Sequence, residues 1–178
     1  PSVRTSVSIT DVTVNSGATL SISGSGTLTV TGTYNSSGST TFTGSGILDL
    51  SGTVTSLGTF TESTGTVRYS DGSAQSIDAD DYYNLYISGG AVKTAAGAIN
   101  VSNYLTVTAS NTILDLTSNN LDVNGDVVVS LSGKIRASTA TINFDESINA
   151  SGGNIEFTGA GTLNLTKSVS NLGTFTEG

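Results

Sequence analysis

The chain has 178 residues and a net charge of −8, from six Lys and Arg against fourteen Asp and Glu. With no basic cluster, that balance argues against nucleic-acid backbones and anionic lipid surfaces as partners. Cys, His, Met and Trp are absent, which removes disulfides, zinc sites and histidine-based triads, and no apolar run approaches the roughly 18 residues of a membrane span.

Gly, Ser, Thr and Asn supply 93 of the residues, a composition that leads to disorder unless the remainder can bury apolar surface. The remainder here is rich in Val, Ile and Leu at period two, the spacing of half-buried strands. In chain order the inward positions read Leu28/Val30, Leu48/Leu50, Leu105/Val107, Leu114/Leu116, Val127/Val129 and Leu163/Leu165. Ser-Gly, Asn-Gly and Ser-Ser-Gly groups separate these segments as corners. No segment has a helical period, so helix content near zero is expected.

A short motif recurs along the chain. Ile22-Ser-Gly-Ser-Gly-Thr-Leu-Thr-Val-Thr-Gly32 returns 20 residues later as Phe42-Thr-Gly-Ser-Gly-Ile-Leu-Asp-Leu-Ser-Gly52, and again as Phe157-Thr-Gly-Ala-Gly-Thr-Leu-Asn-Leu-Thr-Lys167. Self-similarity at such a period predicts stacked coils. The expected fold is all-β: a parallel β-helix, or β-solenoid, of about nine coils of ~20 residues, each with three strands of about five residues. Successive turns are expected at 18–38, 39–58, 59–80, 81–100, 101–118, 119–133, 134–153 and 154–173. Leu28 should then sit under Leu48 and Val30 under Leu50, while Phe42/Phe60 and Phe157/Phe175 stack in the core. The rival fold is an antiparallel β-sandwich, whose strands recur at similar spacing.

A longer period encloses the short one. Tyr34-Asn-Ser-Ser-Gly38 corresponds to Ile148-Asn-Ala-Ser-Gly152 at an offset of 114, and Leu57-Gly-Thr-Phe-Thr-Glu62 to Leu172-Gly-Thr-Phe-Thr-Glu177 at 115. Residues 11–62 thus match 126–177, and 63–125 are present once, within a single continuous segment spanning 1–178. Starting at Pro1 without a leader pattern, and entering and leaving in mid-unit with no polar cap, the chain reads as a processed product or an excerpt of a longer rod.

Candidate chemistry is sparse. The richest acidic stretch holds Asp71, Asp78, Asp80 and Asp81; of these Asp78, Asp80 and Asp81 form a weak calcium candidate, set against the plainer reading of a solvated acidic loop. Lys93, Arg68 and Arg136 fall on different coils, which leaves no lyase base beside an acid. In Asp80-Asp-Tyr-Tyr-Asn-Leu-Tyr-Ile87, alternation points Tyr83, Leu85 and Ile87 inward and Tyr82, Asn84 and Tyr86 outward as candidate surface contacts. The Thr27, Thr29, Thr31, Thr33 run could order ice-like water, but Asp49 interrupts the array. Asn35, Asn100, Asn149 and Asn164 begin Asn-x-Ser/Thr triplets, expected in exposed turns. No catalytic residue, resident metal or cofactor is assigned.

The stretch Leu57-Gly-Thr-Phe-Thr-Glu-Ser-Thr-Gly-Thr-Val-Arg-Tyr69, followed by Gln75-Ser-Ile77, Tyr83-Asn-Leu-Tyr-Ile87 and Ile99-Asn-Val-Ser-Asn-Tyr-Leu-Thr-Val107, resembles repeats of very large bacterial surface proteins. More broadly it is similar to filamentous haemagglutinin-like and autotransporter-passenger β-helices. The resemblance implies a secreted, extracellular stalk, adhesin or fibre, and carries over no catalytic residue. The expected role is therefore a non-enzymatic filament or adhesin-stalk segment that continues end to end with adjacent repeats or with other copies of itself. The alternatives are a polysaccharide-binding or polysaccharide-lyase module, with surface glycans as partners, and ice binding.

Overall fold

The computed structural model describes residues 1–178 and contains strands, turns and bends but no helix. The strands follow one another around the coils. The first coil holds β1 (Ser2–Val3), β2 (Val7–Ile9) and β3 (Val12–Val14). The second holds β4 (Thr19–Ser23), β5 (Thr27–Val30) and β6 (Tyr34–Ser36), and the third β7 (Ser39–Thr43), β8 (Ile47–Leu50) and β9 (Val54–Ser56). The fourth holds β10 (Thr59–Thr61), β11 (Thr66–Tyr69) and β12 (Gln75–Ile77). In the fifth and sixth, one long strand replaces two: β13 (Asp81–Ile87) with β14 (Val92–Ala95), then β15 (Ile99–Val107) with β16 (Ile113–Thr117). The seventh holds β17 (Leu121–Val123), β18 (Asp126–Val129) and β19 (Lys134–Ala137), and the eighth β20 (Thr141–Phe144), β21 (Ile148–Asn149) and β22 (Asn154–Phe157). The last holds β23 (Thr162–Leu165), β24 (Val169–Asn171) and β25 (Thr174–Glu177).

Every strand pairing is parallel, and each joins one coil to the next, so the chain is a parallel β-solenoid of about nine turns rather than a sandwich. At ~4.8 Å per coil the rod is roughly 43 Å long. Three faces run along it. The first carries β1, β4, β7, β10, the start of β13 and β15, then β17, β20 and β23; the second carries β2, β5, β8, β11, the ends of β13 and β15, then β18, β21 and β24. The third carries β3, β6 and β9, then β12, β14, β16, β19, β22 and β25.

Register stacks the apolar positions as expected, with Leu28 paired to Leu48 and Val30 to Leu50. The row continues through Val67, Leu85, Leu105 and Val127, all at most 1 % exposed. All buried apolar residues form one core running the length of the rod. At about 25 cal/mol per Å² each buried Leu or Val contributes ~1.5–3 kcal/mol, which offsets backbone ordering only when coils are stacked. Phe42 and Phe60 meet edge to face at 5.9 Å; Phe157 and Phe175 are tilted at 6.0 Å, and Phe175, expected in the core, is exposed in the last coil.

The expected turn boundaries hold as far as residue 80 and then lose phase. The short turn expected at 119–133 lacks its third strand, which is β19; the coil runs on to 137 before β20 begins the next. The cause lies at the corner between the first and second faces. In the second to fourth coils a Gly-containing turn makes it, but β13 and β15 pass through it as continuous strands, with the register shifting between Tyr82 and Asn84.

Candidate functional site

The features that set this rod apart gather on coils four to six, in the segment present once. Two ladders are interrupted there: β9 does not pair with β12, nor β10 with β13. Side chains fill the gaps. Gln75 Nε2 donates to Leu50 O at 2.9 Å and Gly52 O at 2.6 Å, reaching down one coil. The Asp78 carboxylate accepts the Leu57 amide at 2.5 Å. Lys93 occupies an inward row between Gln75 and Leu114 and is wholly buried. Its ammonium donates to Asp71 O at 2.5 Å and Ser73 O at 2.6 Å, pinning the loop before β12. Burial lowers the Lys93 pKa, opposed in part by Asp71.

Inside the rod, Tyr69 and Tyr82 are fully buried with their hydroxyls 3.1 Å apart. The Tyr82 hydroxyl donates to Asp78 O at 2.8 Å, and the Asp78 amide donates to Tyr69 at 3.3 Å. Burial raises both tyrosine pKa values well above the usual phenol range. A second buried pair lies two coils below: Tyr34 bonds Thr40 at 2.7 Å, and Thr40 donates to Leu57 O at 2.7 Å. Burial pushes the Tyr34 pKa up to about 12.

The placement of Tyr82 corrects the alternation read from sequence. Tyr83 sits at the tight corner, so Tyr82 belongs to the first face and points into the core, where its ring lies 5.6 Å from that of Phe60. Leu85 and Ile87 are buried as expected. Asn84 keeps the register row of Thr66 and Tyr104 but is covered, only 6 % exposed; it donates to Thr66 Oγ1 at 3.2 Å and accepts from Asn103 at 2.7 Å. Tyr82 and Asn84 are therefore not available as surface contacts, and Tyr86 alone of the three keeps a half-exposed ring.

Tyr86 has company on the outside of the second face. The Arg68 guanidinium lies 5.2 Å from the centre of its ring, one coil below. Tyr104, one coil above, reaches across to Thr66 Oγ1 at 3.4 Å, and the Asp49 carboxylate accepts a hydrogen bond from Ser70 at 2.6 Å. Arg68 Nε is buried without a partner. The outside of this face thus carries two half-exposed tyrosines and a guanidinium. Nothing in the residue types flags Tyr104 beforehand; register sets it over Asn84 and Thr66, two residues along the strand from Thr106, which pairs with Tyr86.

The calcium candidate does not assemble. Asp78 is held by the Leu57 amide, Asp81 accepts from Asn100 at 2.6 Å, and no three acidic side chains form a group able to hold a metal ion. Nor is the stretch a solvated loop, since Asp78 and Asp80 are half-buried. Burial first, then Asp78, Asp81 and Glu62, raise the Asp80 pKa to about 6. Arg68, Lys93 and Arg136 lie on different coils, as expected, and Arg136 is paired with Asp115 at 2.6 Å. Thr29 pairs in register with Asp49, which breaks the threonine array. Asn35, Asn100, Asn149 and Asn164 are exposed, but on strands rather than in turns.

Fold and repeat together define a parallel β-solenoid repeat protein. The chain matches no protein-family model, and no curated protein or solved structure is significantly similar to it.

Proposed function

We propose that the chain is a non-enzymatic structural element, a stiff segment of an extracellular bacterial filament or adhesin stalk. The observation that carries this reading is the stacking of all three faces in one direction over a single core, with apolar and main-chain edges open at both ends. Val7 and Ile9 at one end and Val169 and Phe175 at the other are between 38 % and 44 % exposed. Unpaired edges of this kind serve continuation with further coils. The polar sheath of Ser, Thr and Asn keeps such a rod dissolved, and cross-coil ladders resist bending. Electron microscopy of the native material is the test: thin unbranched fibres of solenoid width are expected, and compact isolated particles would refute the role.

A second reading rests on the Arg68–Tyr86–Tyr104 patch. Half-exposed tyrosine rings stack on sugar faces, and a guanidinium bonds sugar hydroxyls or carboxylates. The patch therefore suits an extended, acidic or neutral polysaccharide. Glycan-array binding that disappears in Tyr86→Ala and Tyr104→Ala while folding persists would raise this reading above the first.

A further inference from the structure

The two copies of the sequence repeat do not occupy the same faces. β8, β9 and β10 lie on the second, third and first faces, while their sequence counterparts β23, β24 and β25 lie on the first, second and third. From β8 to β23 there are seventeen face segments, with β13 and β15 each counted on two faces. Seventeen is not a multiple of three, so the second copy is turned by one face about the rod axis.

What covers the first copy is missing from the second. Leu48 and Leu50 are capped by Val67 and Tyr69 and are at most 1 % exposed, whereas their counterparts Leu163 and Leu165 are partly open. Leu57 is buried and its amide is met by Asp78; its counterpart Leu172 is half-exposed. Phe60 touches both Phe42 and Tyr82, while Phe175 touches Phe157 and is 44 % exposed. Each open group has its partner in residues 63–82. The N-terminal coil cannot stand in for them: it has no Gln and no Tyr, and its Asp11 carboxylate already accepts the Thr33 amide at 2.7 Å.

We propose that the edge formed by β23, β24 and β25 is a docking surface for residues 63–82 of a further copy of the repeat, received one face round from the first. Val67 and Tyr69 of that copy cover Leu163 and Leu165, its Asp78 accepts the Leu172 amide, and its Tyr82 packs on Phe175. Its Arg68–Tyr86–Tyr104 patch then faces 120° away from the one in this chain. The inference deepens the filament reading and rests on it: growth proceeds through adjoining repeats in this register, not through stacking of identical ends.

The test is a chain in which residues 63–178 follow directly after Glu177. Because the protein has no cysteine, one pair can be introduced cleanly: Asn164→Cys with Arg68→Cys of the appended copy, the counterparts of the registered Asp49 and Arg68. This pair is expected to oxidise to a disulfide in high yield, since facing positions on adjacent strands fall within disulfide reach. The control, Ser170→Cys with the same appended Arg68→Cys, reports an unrotated register and is expected to stay reduced. Oxidation of the control pair, or of neither, would overturn the proposal. Should the cysteine variants misfold, amide exchange of the cysteine-free fusion decides: β23–β25 amides must slow by more than about tenfold relative to the parent chain, and unchanged exchange would overturn it. Crosslinking in the stated register alongside native material without fibres would remove the filament role while leaving the docking surface in place.

Discussion

The Tyr82 ring stands between two partners in the core of the rod, with Phe60 5.6 Å from it and the Tyr69 hydroxyl 3.1 Å from its own. It replaces the missing ladder between β10 and β13 with side-chain packing. Removing one hydroxyl leaves Asp78 O without its donor, so Tyr82→Phe is expected to cost about 1–2 kcal/mol. Tyr69→Phe should cost a similar amount, and the double variant less than the sum, because the two share one hydrogen bond. Urea titration of the three variants measures the coupling.

Lys93 poses a question of balance. Its two hydrogen bonds to carbonyls, at about 1.5–3 kcal/mol each for a charged donor, oppose a desolvation cost of several kcal/mol. Lys93→Met keeps the buried stem and removes both terms, so global stability should change by less than about 1 kcal/mol while residues 71–75 exchange faster. Lys93→Ala opens a cavity in the row between Gln75 and Leu114 and is expected to cost about 2–5 kcal/mol. Denaturant midpoints together with hydrogen exchange separate the two outcomes.

Asp80 makes stability depend on pH near neutrality. Its folded pKa of about 6 lies above the unfolded value of about 3.9. The contribution of its protonated form is thus fully present below the unfolded value and is lost as pH rises through 6. The melting temperature of the native chain is expected to rise between pH 7 and pH 5 more steeply than that of Asp80→Asn, which cannot ionise. Parallel slopes for the two proteins would refute this.

Gly125 crosses the tight corner directly above Asn103. A Cβ there would fall 1.4 Å from the Asn103 carbonyl oxygen, so Gly125→Ala must displace backbone and should cost at least the roughly 1–3 kcal/mol of an overpacked site. Gly17 offers the comparison. A Cβ on it meets nothing within 4 Å, but its φ is +78°, and Gly17→Ala should cost only the left-handed strain of about 1–2 kcal/mol. Thermal melts of both variants test the order.

The inward ladders were legible in the chain because period two and a 20-residue recurrence are local signals: Leu28 and Leu48 announce their stacking by spacing alone. The acidic stretch was less so. Asp78, Asp80 and Asp81 are close in sequence, yet the Asp78 carboxylate accepts the Leu57 amide, that of Asp81 accepts from Asn100, and Asp80 is half-buried between them. Proximity along a strand carries no information on which neighbouring coil offers the partner.

Alternation, glycine-marked corners and self-similarity were enough to determine an all-β coil with Leu and Val inside, since each rests on the geometry of an extended backbone and its side chains. Only the folded molecule decided that Tyr82 turns inward, that Lys93 is buried and that Tyr104 reaches over Asn84 to Thr66. The first of these depends on a corner folded into a continuous strand, which reassigns residues between faces. The same two-face strands set the rotation of the repeat, because the number of faces crossed, and not the number of residues, decides where a copy lands.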